Sequence, residues 1–233
     1  MYGDNYGYRS GLNQAMVRHL TDKARVLGIR SALAAGDVVL DIGSNDSTLL
    51  RAHTTPGLTK IGIDPTGEKF RRYYPDDVIL VPDFFSRASF AQVAGTKKAK
   101  LVTSIAMFYD LDDPIQFARD VHSCLTDDGV WHFEQSYMPS MLRTNSYDTV
   151  CHEHVSYYSL TAVRTILDAA DFDIEDVIMN AVNGGSFAVT ARKRRRTVSK
   201  VGPIVEWLLA DERRMGLHTP RPFRDFEERV YAH

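Results

Sequence analysis

The sequence predicts a doubly wound, Rossmann-like α/β fold with a seven-stranded sheet, on three observations. Short β-rich runs alternate with stretches that can coil into helices, each run ends at polar residues, and the last two runs flank Asn183-Gly184-Gly185. The alternation implies parallel strands joined by right-handed crossovers. The Asn-Gly-Gly turn implies a final antiparallel hairpin, because these residues accept the positive φ that tight hairpin turns need.

The elements follow in order. From Gly11 to Arg30, the positions Leu12, Ala15, Met16, Leu20, Ala24 and Leu27 recur at helical spacing, with Ser10 placed as N-cap of an amphipathic helix. Strands are expected over 37–41 (DVVLD), 60–64 (KIGID), 77–81 (DVILV), 100–106 (KLVTSIA) and 129–136 (GVWHFEQS). Helices are expected over 114–125, where Ile115, Phe117, Ala118, Val121 and Leu125 form the apolar stripe, and over 160–170. FDIEDVIMN and SFAVTARK make the hairpin, and 203–231 reads as two helices. Five parallel strands followed by an antiparallel hairpin is the sheet of class I methyltransferases. The chain is expected to divide into an N-terminal helical cap over the active site (1–30), a cofactor-binding domain (31–197) and a C-terminal helical extension (198–233). The apolar stripe of the extension suits pairing with a second copy or a partner. The basic run RKRRR at 192–196 reads as a solvated strand end.

Composition narrows the function. With 44% hydrophobic and 25% charged residues, the 233-residue chain has the make-up of a soluble globular protein. A formal charge of −2 creates no field that gathers nucleic acid or an anionic membrane, so a small-molecule substrate is expected. The two cysteines, Cys124 and Cys151, stand apart without a CxxC, which argues against a zinc ribbon or a disulfide scaffold and fits a reducing, cytoplasmic setting. No run approaches the 18 apolar residues of a membrane span, and MYGDNYGYRSG has no apolar signal core.

Ligands of doubly wound sheets bind beyond the carboxyl ends of the strands, so the residues after each strand carry the information. Asp41-Ile42-Gly43-Ser44-Asn45-Asp46 follows the first: Gly43 permits close backbone approach, and Asp41 or Asp46 can pair with an ammonium-bearing ligand. Asp64, 23 residues after Asp41, stands where a carboxylate accepts from both hydroxyls of a ribose. A single glycine followed by acidic side chains repels a pyrophosphate, so a cationic, phosphate-free cofactor suits this loop better than a dinucleotide. Asp83 can accept from an adenine amino group with the Phe84 ring beside the base, and Ile105 and Ala106 supply small apolar walls. Together these residues point to S-adenosylmethionine.

The densest ionisable cluster is Asp148-Thr149-Val150-Cys151-His152-Glu153-His154, followed by Tyr157 and Tyr158. No metal is expected, because HEH lacks the i, i+4 spacing of HExxH. Acid–base work fits better, since an imidazole titrates near neutrality; Glu153 or Asp148 is the candidate orienting group. A base beside hydrogen-bond donors is what enolate formation demands, and Tyr6, Tyr8, Tyr157 and Tyr158 are candidate donors.

These residues resemble the sugar C-methyltransferases that act at carbon 3 of nucleotide-linked 4-ketosugars in deoxysugar and natural-product biosynthesis. The resemblance rests on YGYRSGLNQAM, VLDIGSNDSTLL, FEQSY at 133–137, YDTVCHEHVSYYSL at 147–160 and NGGSFAVTA at 183–191, in family order over roughly residues 6–215. It implies that His154 removes the proton from carbon 3, that Glu153 and His152 stand beside it, and that Tyr6 or Tyr8 lies near the sugar. Cys151 and Asp110 occupy positions where family members often carry tyrosine and histidine, and Ser47 replaces the glycine of NDGT. The N-terminal cysteine-rich zinc domain and second C-terminal α/β domain of familiar members have no counterpart in these residues. Two other readings compete: an O- or N-methyltransferase on another small metabolite, and a non-catalytic adenosylmethionine-binding partner subunit.

Overall fold

The computed structural model describes residues 7–151, 154–195 and 202–232. Its seven strands are β1 (Val38–Ile42), β2 (Thr59–Ile63), β3 (Val78–Val81), β4 (Ala99–Ile105), β5 (Leu125–Ser136), β6 (Phe172–Asn180) and β7 (Ser186–Lys193). They form one sheet in the order β3-β2-β1-β4-β5-β7-β6. β1 pairs in parallel with β2 and β4, β2 with β3, and β6 pairs antiparallel with β7, which is the sheet the sequence predicts. The strand β1 is apolar apart from Asp41 and is buried from end to end between parallel neighbours.

The helices are α1 (Gln14–Arg30), α2 (Thr48–Arg51), α3 (Gly67–Phe70), α4 (Arg87–Ala94), α5 (Pro114–Cys124), α6 (Met138–Thr144), α7 (Leu160–Ala169), α8 (Pro203–Met215) and α9 (Arg221–Tyr231). Two boundaries differ from expectation. The cap of α1 is Asn13, whose Oδ1 accepts from the amides of Ala15 and Met16, while Ser10–Leu12 forms a separate 3-10 turn. Ser10 lies inside that turn rather than at the start of α1, and its own amide donates to Asn45 Oδ1 at 2.9 Å. Leu125, expected to close α5, instead opens β5. No described helix is long and apolar enough to cross a membrane.

The chain forms two compact units, one of 1–105 with 120–132 and the other of 106–119 with 133–233. In the first, Leu27, Val39, Leu50, Val78, Leu101 and Val130 make the core, and Leu20, Ala24 and Leu49 a second cluster where α1 meets α2. Each such side chain contributes roughly 1.5–3 kcal/mol by leaving water. In the second unit, Phe108 packs on Phe117, Phe133 and Tyr158 at centroid separations of 5.8, 5.1 and 5.5 Å. Within the basic run, Arg194 and Arg195 are exposed; Arg192 pairs with Glu175, and Arg194 with Asp168 and Asp173, while Arg196 lies outside the described residues.

A buried carboxylate organises the second unit. Glu212 of α8, 1% exposed, accepts from the Tyr137 hydroxyl at 2.7 Å, from the amides of Leu160 and Thr161 at 2.6 and 2.8 Å, and from the Thr161 hydroxyl at 2.6 Å. Ser159 Oγ accepts from the Ala162 amide, so the first three amides of α7, which no helix can satisfy internally, all have partners. The charge also lies at the positive end of the helix dipole. Glu212→Ala strands those donors in the core and should lower the unfolding free energy by about 3–5 kcal/mol. Urea unfolding measures the loss; a change below about 1 kcal/mol contradicts this role.

Candidate active site

The turn that leaves β1 gathers the first group of predicted residues. Gly43 has φ +73°, Asn45 +50° and Ser47 +61°, so three of five successive residues are left-handed. Glycine takes that conformation freely and asparagine tolerably; for serine it costs about 1 kcal/mol. Ser47 offsets this by donating from Oγ to the Tyr73 carbonyl at 3.1 Å.

Three carboxylates converge on this turn. Asp41 lies opposite Thr103 in the β1–β4 register and accepts from its hydroxyl at 2.6 Å. Asp64, just past β2, accepts from the Thr66 amide and hydroxyl with one oxygen, both at 2.7 Å, and from the Asn45 amide with the other, also at 2.7 Å. Asp46 accepts from Thr48 Oγ1 at 2.6 Å and from the Gly11 amide at 3.0 Å, with Arg9 Nε at 3.9 Å. All three are nearly sealed from water. Tyr74, which no motif or period marks, donates its hydroxyl to the Asn45 carbonyl at 2.7 Å and meets Ser44 Oγ at 2.8 Å.

The same turn holds the N-terminal segment. Asn45 Oδ1 accepts from the Ser10 amide, and its Nδ2 donates to the Tyr8 carbonyl at 3.0 Å. The Arg9 guanidinium lies 4.2 Å from the Tyr73 ring centroid. Gly11 fits because it has no side chain: a Cβ there would stand 2.5 Å from Asp46 Oδ2. Asn45 and Asp46 thus fix where Tyr8 stands, a long-range tie with no periodic signal.

After β3, Asp83 Oδ1 accepts from the Phe84 amide at 2.7 Å, and the Phe84 ring is 64% exposed, so it is no part of the core. Ile105 packs against Leu20, Ala24 and Leu49. Ala106, in the second unit, takes a left-handed φ of +54° directly after β4 and donates to the Glu134 carbonyl at 2.7 Å.

The second unit holds the candidate base. His154 Nδ1 lies 2.9 Å from the Thr149 carbonyl, which can only accept, so the ring proton sits on Nδ1 and Nε2 carries the free lone pair. The ring of Tyr109 packs on the imidazole at 4.3 Å between centroids, and the Tyr109 carbonyl accepts from the Ser156 amide. Tyr157 faces the other side at 6.1 Å, edge-on. The orienting group is therefore the Thr149 carbonyl and not Asp148, whose side chain is exposed. Tyr158 is a core residue, packed on Phe108. Tyr6, His152 and Glu153 lie outside the described residues.

A doubly wound sheet ending in an antiparallel pair, with an acidic glycine turn after β1 and a carboxylate after β2, is the architecture of a class I methyltransferase. The model of a family described as "Methyltransferase domain" matches residues 14–177, and that of a "C-methyltransferase C-terminal domain" matches 181–233. The chain belongs to the methyltransferase family, whose methyl donor is S-adenosylmethionine. It is 28% identical over 232 residues to the C-methyltransferase NovU of Streptomyces niveus, covering 98% of this chain and 55% of that protein. The chain therefore spans little more than half the length of this relative. Among solved structures, an S-adenosylmethionine-dependent methyltransferase from Clostridium acetobutylicum superposes with a TM-score of 0.56 at 12% identity, over 77% of this chain and 92% of that one. The plantazolicin methyltransferase BpumL, solved with a desmethyl analogue and SAH, does so with 0.59 at 11% identity, over 80% and 88%. These likenesses establish the fold.

The donor set fits the cofactor. Asp41, Asp46 and Asp64 bring three carboxylates together, with the Arg9 guanidinium near Asp46, and the acidic balance suits a cation better than a phosphate. The fit has a measurable cost. Burial pushes the Asp41 carboxyl up to about 7 from an ordinary 3.8; Thr103 pulls it down, and Asp64 pushes it further up. A carboxyl raised on folding stabilises the fold fully below its unfolded pKa and loses that contribution as pH climbs through its folded one. Asp41→Asn keeps an acceptor for Thr103 and removes the charge. Its melting temperature should exceed wild type by an amount that opens above about pH 4 and levels off beyond about pH 7. Parallel pH-dependent thermal melts without ligand check this, and a constant difference refutes it.

Proposed function

We propose that this chain is a C-methyltransferase that removes a proton from a carbon next to a ketone and methylates that carbon, acting on carbon 3 of a nucleotide-linked 4-ketosugar. The observation that carries the reading is the state of His154: with Nδ1 tied to the Thr149 carbonyl, Nε2 is the only ring atom left to accept a proton. Packing against Tyr109 holds the plane of the ring. The relative named C-methyltransferase and the match to a C-methyltransferase C-terminal domain support transfer to carbon.

The chemistry follows from those groups. Nε2 takes the proton, the C–H electron pair becomes the C=C of an enolate, and the negative charge moves to the carbonyl oxygen. When bound, S-adenosylmethionine would supply an electrophilic methyl group to the enolate carbon, the sulfur–methyl bond breaking to leave adenosylhomocysteine. The residues proposed to hold the cofactor are Asp64 at the ribose, Asp83 and Phe84 at the adenine, and the Asp41–Asp46 turn at the methionine moiety. Glu153, His152 and Tyr6 are proposed to complete the substrate side. Residues 1–30 are proposed to close over the site, a role the ties from Asn45 and Asp46 to the N-terminal segment support.

Transfer to oxygen or nitrogen needs chiefly positioning, whereas transfer to carbon needs a base. His154→Gln should therefore lower kcat by about 10²–10⁴-fold while leaving adenosylhomocysteine affinity within a few-fold. It should equally abolish hydrogen–deuterium exchange at the acidic carbon in deuterated water. A loss of only a few-fold would turn the assignment toward an O- or N-methyltransferase.

A further inference from the structure

Gln135, the penultimate residue of β5, is 2% exposed, and neither its side-chain oxygen nor its nitrogen has a hydrogen-bond partner among the described residues. An amide sealed from water with nothing to bond is costly, and such groups persist in native proteins where water or a ligand completes them. Its position on the strand shows what it faces. Side chains alternate along β5, so Gln135 shares the face of Phe133, about 7 Å further toward the carboxyl end. Glu134 points the opposite way, where its Oε2 accepts from Asn180 Nδ2 at 2.8 Å. On the face of Phe133 lies Phe108, 5.1 Å away between centroids, and the next residue in that turn is Tyr109, which packs on His154. The unsatisfied amide therefore stands at the ligand-binding edge of the sheet, on the face that carries the turn bracing the base.

We propose that Gln135 is a substrate-contacting residue that recognises an α-hydroxyketone. Its Nε2 donates to the ketone oxygen, where the enolate charge gathers, and its Oε1 accepts from the neighbouring hydroxyl. A side-chain amide offers a donor and an acceptor side by side, which matches a carbonyl flanked by a hydroxyl and mismatches a lone amine or phenol. A donor aimed at the developing oxyanion lowers the barrier to proton removal, the work that His154 alone does not do. This inference rests on the ketosugar reading above and adds the group that reads the substrate's oxygens.

Gln135→Met tests it, because methionine keeps the length and unbranched shape of the side chain while deleting both polar atoms. The probe is a nucleoside-diphosphate-linked 4-keto-6-deoxyhexose, incubated in deuterated water with adenosylhomocysteine, and exchange at carbon 3 is followed by NMR. The variant should melt no lower than wild type and bind adenosylhomocysteine within about twofold. Exchange and kcat should each fall by about 10²–10³-fold. Gln135→Glu, which sets a carboxylate against the oxyanion, should lose at least as much. Wild-type exchange that persists in both variants overturns the role of Gln135 and leaves the ketosugar reading intact. A methionine variant that melts several degrees lower yet exchanges normally makes the amide a structural group and likewise overturns it. No exchange by the wild-type enzyme overturns the ketosugar reading and this assignment with it.

Discussion

The turn between β1 and α2 is the constraint on which the first unit depends. Three of its residues are left-handed, at roughly 1 kcal/mol for the one that is neither Gly nor Asn, and such strain persists only where surrounding contacts over-determine it. Here they do. Asp64 grips the Asn45 amide, Tyr74 grips its carbonyl, and Ser47 reaches the Tyr73 carbonyl. With the backbone so fixed, the side chains of Asn45 and Asp46 are free to bond outward, to the amides of Ser10 and Gly11. The strained turn is thus the frame to which the N-terminal segment is fastened, and the position of Tyr8 is a consequence of it.

A comparable logic runs through the second unit, where a helix start and a histidine each depend on one acceptor. Glu212 satisfies the start of α7 and the Tyr137 hydroxyl together, so the segment between them is held at both ends. Within that segment the Thr149 carbonyl, at the end of a single 3-10 turn, sets the tautomer of His154.

Period and turn chemistry made most of the fold legible. The hairpin strands fall where FDIEDVIMN and SFAVTARK place them, because alternation and the Asn-Gly-Gly turn fix register locally. The cap of α1 is not legible, because Ser10 and Asn13 both have the right chemistry and only the 3-10 turn over Ser10–Leu12 moves the helix start to Asn13. Tyr109 carries no signal, since an aromatic in a one-turn connection has no periodic neighbour to mark it, and the orienting group is sought in Glu153 or Asp148 because a backbone carbonyl such as that of Thr149 is invisible in a sequence. Glu212 did leave a signal. It falls seven residues after Val205 and four after Leu208, on the buried stripe of α8, where a carboxylate needs partners.

The acidic turn explains why this architecture suits a cationic ligand better than a phosphate. Of its three buried carboxylates, Asp64 and Asp46 have each recruited several protein donors, whereas among the described residues Asp41 accepts from the Thr103 hydroxyl alone. One hydroxyl does not repay the loss of water around an ionised carboxylate, and Asp41 is accordingly the group whose proton is held up to about neutrality. The fold therefore carries an electrostatic cost at neutral pH that a phosphate would increase and a positive charge would relieve. The family's methyl donor carries a sulfonium and an α-ammonium, charges of the sign that this turn favours.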